Sequence, residues 1–174
     1  GFVVSDGRAG ARQGTEYLLS RGCRRLAFIG DTGLPVLKER LAGFEDALSA
    51  AGIPRDSCPH LPSEEGAIEG ALRGGVDGIF MGSLRAAMKV LRAVAACGKR
   101  IPRDLALTGF DQPHFSGSAA NELGALGALE APLPYLEQAR QEMGVRAAEL
   151  LFDLLETPSR RTPPQLRLAP TFHG

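Results

Sequence analysis

Short runs of β-branched or aromatic residues alternate along the chain with longer stretches in which apolar residues recur every three or four positions. That alternation predicts βαβ units around a mostly parallel sheet, an α/β fold in three layers. Residues 2–5 read as a strand and 8–21 as a helix, stopped by Gly22, which can take the left-handed conformation of a helix end. Residues 26–29 are the next strand. Leu37, Leu41, Phe44 and Leu48 then fall on one helix face that runs up to Gly52. Ser63, followed by Glu64 and Glu65, predicts a capped helix closing at Gly74 and Gly75. Residues 77–81 form a strand, Ser83 caps the helix through Ala87, Leu91 and Val94, and residues 105–108 form a further buried strand.

The stretch 117–129 is rich in Gly and Ala and reads as a connector between lobes. Leu136, Met143, Ala147, Leu150 and Leu154 return to helical spacing, and this helix is expected to lie partly outside the main lobe. Pro158, Pro163 and Pro164 cannot continue it. Residues 166–172 read as one last strand. No internal repeat is visible.

Composition changes this picture little, but it excludes several functions. Hydrophobic residues make up 44% and charged residues 23% of the chain, ordinary values for a folded domain. Lys plus Arg and Asp plus Glu are both 20, so the chain has no net basic field with which to hold a phosphate backbone. No apolar run approaches the roughly 20 residues of a membrane helix, and no membrane partner is expected. The 3 cysteines, Cys23, Cys58 and Cys97, lie far apart without a CxxC pair, which predicts neither a disulfide framework nor a zinc site and points to a reducing cytoplasm. Gly1 is not an initiator residue, so the sequence reads as part of a longer product.

Candidate chemistry is sparse. Gly30 and Gly33 follow a strand, but neither GxxxxGK[ST] nor GxGxxG is present and Pro35 removes a donor amide, so a plain βα turn is the better reading. His60, His114 and His173 are scattered, with no metal-ligand spacing. There is no GxSxG elbow, and Ser116 beside His114 is too close in sequence to define a nucleophile and base. The pairs Arg24-Arg25 and Arg160-Arg161 read as solvated charge. Arg40 and Asp111 stand out. Arg40 carries the fork suited to oxygen pairs and sits near the start of a helix that follows a strand; Asp111 lies just beyond the carboxyl end of a strand, where open α/β sheets bind ligands.

The order of these pieces is familiar. The run Asp6-Gly7-Arg8-Ala9-Gly10-Ala11 with Leu18 and Leu19, then Arg21-Gly22 and Leu26-Ala27-Phe28-Ile29-Gly30, resembles the lactose-repressor (LacI/GalR) family of bacterial transcription regulators. Arg40-Leu41-Ala42-Gly43-Phe44, with Ala47-Leu48 and Ala51-Gly52, is similar to that family's RxxGF…AL…AG helix. Ile101-Pro102-Arg103-Asp104 through Gly109-Phe110-Asp111 is similar to its VPxDxxxxGFD signature. The helix with Gly144, Ala147, Leu150 and Leu151 and the final strand also agree.

The resemblance spans nearly the whole chain and the second half of the family's effector-binding region, whose fold is like that of periplasmic sugar-binding proteins. It implies one partial effector-binding and dimerisation domain over 1–174, with a C-terminal lobe core at about 12–115 and crossover, helix and final strand at 116–174. The helix-turn-helix that reads operator DNA would lie upstream, together with most of the first lobe. By resemblance, Arg40 grips ligand oxygens, Asp111 accepts from ligand hydroxyls or ring N–H groups, Asp6 is an acidic cleft-edge residue, and Ser83 is a further effector contact. The implied partners are a sugar, sugar acid or purine-like effector, operator DNA, and a second copy in a homodimer; no cofactor or metal is implied. This sequence departs from the family at Gly7, where Asn is usual, at Gly82-Ser83, where Asn-Asp is common, and at Ala131-Pro132, where Gln-Pro is frequent. A periplasmic-type sugar-binding protein of a transporter is the alternative, distinguished by a signal peptide in place of a helix-turn-helix. An α/β enzyme is disfavoured by the lack of a nucleophile, base or metal cluster.

Overall fold

A computed structural model describes residues 1–112, 117–156 and 164–174, which leaves His114, Ser116 and the Arg160-Arg161 pair outside the described residues. β1 (Phe2–Ser5) leads into α1 (Gly7–Ser20), β2 (Leu26–Ile29), α2 (Pro35–Ala50), β3 (His60–Leu61), α3 (Glu65–Arg73) and β4 (Gly78–Met81). The chain continues through α4 (Ala87–Ala96), β5 (Ala106–Phe110), α5 (Ser118–Leu126), β6 (Tyr135–Glu137), α6 (Arg140–Glu156), β7 (Gln165–Leu168) and β8 (Thr171–His173). A 6-stranded sheet has the order β3-β2-β4-β5-β6-β8, and β1 pairs with β7 in a separate 2-stranded sheet. Every pairing is parallel except β6 with β8. The α/β class and the single parallel sheet for the strands at 26–29, 77–81 and 105–108 are therefore as the sequence predicts.

The central strands β2, β4 and β5 are buried on both faces, which is why they are nearly continuous apolar runs rather than alternating ones. Ala27, Ile29, Ile79, Met81 and Leu107 face α3 and α4, where Ile68, Leu72, Val90, Leu91 and Val94 complete one core. Leu26, Phe28, Phe80 and Phe110 face the other way, onto Ala11 and Leu18 of α1 and Phe44 and Leu48 of α2. The strand period of two thus sorts one sequence into two apolar layers.

Helix α1 starts where the Asp6 carboxylate accepts the Ala9 N–H at 2.9 Å, satisfying an otherwise orphan donor. Two predicted caps are not made. Helix α3 is preceded by Glu64, without a side-chain cap, and α4 by Ala86, because a 3₁₀ turn at Leu84–Ala86 intervenes after Ser83.

Three further expectations are corrected. The supposed connector holds α5, whose Ala and Leu residues are strong helix formers and whose Glu122 clamps Arg92 of α4. Leu136 does not begin a helix; it is fully buried in β6, because Pro134 keeps the preceding chain extended and β5 offers this segment an edge to pair with. The predicted final strand is two strands in two sheets. Between them Pro170 has no N–H to give a ladder, and the chain passes from β7 beside β1 to β8 beside β6. The chain crosses between the sheets at Asp6, at Gln138-Ala139 and at Ala169-Pro170, and α6 lies against β1 after its crossing.

Candidate functional site

Because β2, β4, β5 and β6 are parallel, their carboxyl ends share one edge of the sheet, where Gly30, Gly82, Asp111 and Gln138 emerge. The first crossing brings Asp6 and Gly7 to the same edge, next to α2, since Gly7 sits against the Arg40 side chain. Open α/β sheets bind ligands at such an edge.

Arg40 rises from the second turn of α2 and is only 6% exposed. Its Nη1 donates to the Gly82 carbonyl at 2.7 Å. Its guanidinium carbon stands 3.7 Å from the centroid of the Phe110 ring. Among the described residues Nε has no hydrogen-bond partner. Burial pushes the Arg40 pKa down to about 10, opposed by the charge of Asp111, so the side chain stays cationic at neutral pH.

The glycines around Arg40 have two physical causes. A Cβ on Gly82 would lie 2.6 Å from the Phe28 ring, so the amide side chain common in the resembling family does not fit here. At Gly7 a Cβ would lie 3.3 Å from Arg40 Cγ and 3.7 Å from Nε; there glycine lets the start of α1 pack closely over the buried guanidinium stem.

Asp111 follows β5 with φ of 64°, a left-handed conformation that Asp tolerates better than most side chains. Its carboxylate accepts from Gln138 Nε2 at 2.9 and 3.2 Å. It also pairs with Arg140 Nη2 at 2.7 Å. Asp111 and Arg40 therefore share the strand edge without an ion pair between them; Asp111 directly follows Phe110, whose ring lies under the Arg40 guanidinium. An open cavity of about 830 Å³ begins at Asp111 and runs between β6 and α6, past Tyr135, Glu137, Arg140 and Glu149. Asp6 is committed to capping α1, and half-buried Ser83 lies at the end of β4 beside Gly82.

Gln138 and Arg140 escaped the sequence reading, which laid a helix over them. The sequence shows a lost polar group at position 131, whereas Gln138 supplies an amide beside Asp111. The available signal was Pro134, which marks the segment before Gln138 as extended. The two described histidines are otherwise engaged: His60 hydrogen-bonds the Gly30 carbonyl at 2.8 Å and His173 pairs with Glu137 at 2.8 Å. Among the described residues no cluster of three or more His, Cys, Asp or Glu could hold a metal ion, and no helix is long and apolar enough to cross a membrane.

The sequence pattern of the periplasmic binding protein-like domain family matches residues 15–173. The ribose operon repressor of Halalkalibacterium halodurans is 31% identical over 161 residues, covering 89% of this chain and 46% of that protein. The transcriptional regulator CelR of Thermobifida fusca is 31% identical over 163 residues, covering 87% of this chain and 44% of that protein. The solved complex of transcriptional regulator CelR with cellobiose superposes with a TM-score of 0.76 at 29% identity, covering 99% of this chain and 52% of that one. The chain spans about half the length of the curated relatives it matches, and those relatives are repressors and transcription regulators rather than enzymes. The chain belongs to the periplasmic binding protein-like domain family, in its LacI-type transcription-regulator branch.

Proposed function

We propose that this chain is the effector-sensing part of a cytoplasmic bacterial transcription regulator. A small sugar-like metabolite sits at the carboxyl edge of the 6-stranded sheet, in a cleft between the lobe built on that sheet and a second lobe to which β1, β7 and α6 belong. Arg40 donates to its oxygens, Asp111 and Gln138 take its hydroxyls, and Asp6 and Ser83 flank the cleft. The core lobe spans about 12–115 and is completed by β6 and β8, while the crossovers, α6 and β7 lie in the remainder of 116–174. Lobe closure around the effector alters how a homodimer fits operator DNA, which is read by a helix-turn-helix elsewhere in the gene product. The coupling is a free energy shared between two sites, so the effector and the operator influence each other reciprocally.

One observation carries this reading: a buried guanidinium stands on an aromatic ring at the ligand edge of the sheet, with Nε unused. A guanidinium held this way is preorganised, so little conformational freedom is lost when its edge donates to a ligand oxygen. The regulator is favoured over a transporter's sugar-binding protein by the names of the relatives, including one solved with cellobiose.

The test is calorimetric titration of the complete gene product with pentoses, hexoses, disaccharides and sugar acids. An effector found this way should bind roughly tenfold to a hundredfold more weakly to folded Arg40→Ala and Asp111→Ala variants, the equivalent of about 1.5–3 kcal/mol per charge-assisted contact. Unchanged affinity in both variants contradicts the assignment.

A further inference from the structure

We infer that Arg140 competes with the effector for the Asp111 carboxylate, so that a neutral sugar binds by displacing an intramolecular ion pair. This deepens the effector-site reading and rests on it.

A carboxylate offers roughly four acceptor sites on its two oxygens. At Asp111 the Gln138 amide nitrogen lies 3.2 Å from Oδ1 and 2.9 Å from Oδ2, and Arg140 Nη2 stands 2.7 Å from Oδ1. An adjacent pair of sugar hydroxyls donates to both oxygens only if one of these donors leaves. The carboxylate is within reach of a ligand: the Asp111 side chain is 17% exposed and opens on the cavity of about 830 Å³ that Gln138 and Arg140 also line.

Arg140 is the donor free to leave. Its side chain is 71% exposed, so its charge returns to water at little cost. Gln138 is half-buried and directly follows β6, where the Asp111 N–H donates to the Leu136 carbonyl at 2.8 Å and keeps the two segments together.

The helix gives Arg140 no other reason to be there. A cation in the first turn opposes the helix dipole, and Arg140 is the first residue of α6. Among the described residues Asp111 is the one acid within ion-pair distance of it. The other acids along the cavity are engaged elsewhere, Glu137 with His173 and Glu142 and Glu149 with Arg146.

An ion pair with so exposed a partner is weak, so displacing it should cost the effector about two- to fivefold in affinity and not orders of magnitude. Salt screens the ion pair but not the hydrogen bonds of an uncharged sugar. Neutral-sugar affinity should therefore rise with salt, the reverse of attraction between a charged ligand and its site.

Calorimetric titration of the complete gene product with D-ribose, D-glucose and cellobiose tests this. A sugar whose affinity falls in Asp111→Ala should bind about two- to fivefold tighter to Arg140→Gln than to the parent. In the parent its affinity should rise by a similar factor between about 0.02 and 0.5 M salt, and in Arg140→Gln that rise should vanish. Arg146→Gln removes a positive charge from the wall of the same cavity without touching the Asp111 pair, and should leave sugar affinity unchanged. Unchanged or weaker binding to Arg140→Gln, or an equal gain in Arg146→Gln, overturns this inference, while the loss in Asp111→Ala keeps the effector site standing. Indifference of every sugar to Asp111→Ala, or binding by none of the three, overturns both.

Discussion

Arg40 stands over Phe110 with its guanidinium carbon 3.7 Å from the ring centroid, so the helix α2 and the strand β5 meet in a single cation–π contact at the ligand edge. The ring beneath it is itself supported. Phe110 meets Phe80 edge-on at 6.2 Å, and Phe80 stacks on Phe28 at 5.8 Å, a row of aromatics on three neighbouring strands beneath α1 and α2. A buried, rigid platform keeps the long Arg side chain in one conformation and reduces the entropy lost when a ligand binds.

Phe110→Leu should therefore do two things at once. Loss of the cation–π contact and part of the buried ring should lower stability by about 1–3 kcal/mol, read by urea unfolding. Effector binding should weaken in the same variant, because Arg40 loses its platform. Normal affinity in a folded Phe110→Leu protein would separate the ring from Arg40 positioning.

Two helical glycines should respond in opposite directions to the same change. A Cβ on Gly43 would come 2.0 Å from the carbonyl oxygen of Arg8, where α1 and α2 touch backbone to backbone, and Gly43→Ala must push the helices apart. The expected loss is about 3 kcal/mol, the upper end for overpacking. Gly70, inside α3, has nothing within 4 Å of its added Cβ, and Gly70→Ala should stabilise by about 0.5–1 kcal/mol. Thermal or urea unfolding of the two single variants reads both signs.

Much of this arrangement could be read from the sequence because its signals are local. The runs Leu26–Ile29 and Gly78–Met81 are apolar on both faces, which only a covered parallel strand needs, and strand-then-helix order placed Arg40 and Asp111 at one edge. The errors arose where the deciding partner is distant in sequence. Leu136 fits a helical series with Met143 and Leu150, and a strand of three residues is too short to display alternation. Its pairing with Phe110 and Phe172 makes it a strand. Gln138 and Arg140 were hidden by the same mistake. The unused Nε of Arg40 depends on how Gly82, Phe110 and Gly7 enclose it in three dimensions, which no spacing rule contains.

Acid should weaken the fold through its surface ion pairs. Hydrogen bonds from Arg8, Arg103 and Arg92 hold the carboxyls of Asp46, Asp104 and Glu122 below their ordinary pKa values. A carboxyl depressed in the folded state adds stability that is present above its unfolded pKa, near 4, and is lost as pH falls through the lower folded value. The melting temperature should hold between pH 5 and 7 and drop below about pH 4. Asp46→Asn with Glu122→Gln should flatten that drop at low salt, and high salt should shrink the difference between variant and parent. A double variant with the parent's acid profile would show that these pairs do not contribute.

Asp111 combines a backbone role with a charge role, and two substitutions separate them. Its φ of 64° is left-handed, a region that Asn occupies as readily as Asp but Ala only at a cost. Asp111→Asn keeps an oxygen for Gln138 and Arg140 and should stay within about 0.5 kcal/mol of the parent, whereas Asp111→Ala should lose about 1–2 kcal/mol. The charge consequence runs the other way. Asp111→Asn removes the single negative charge between Arg140 and Arg40, so the edge gains positive potential. A neutral sugar that relies on an acceptor carboxylate should then bind more weakly, while an acidic sugar, relieved of the carboxylate's repulsion, should lose less. Calorimetry with D-glucuronate and D-glucose on the two variants measures both effects. Equal loss of the two sugars in Asp111→Asn would mean that the carboxylate acts through its hydrogen bonds and not through its charge.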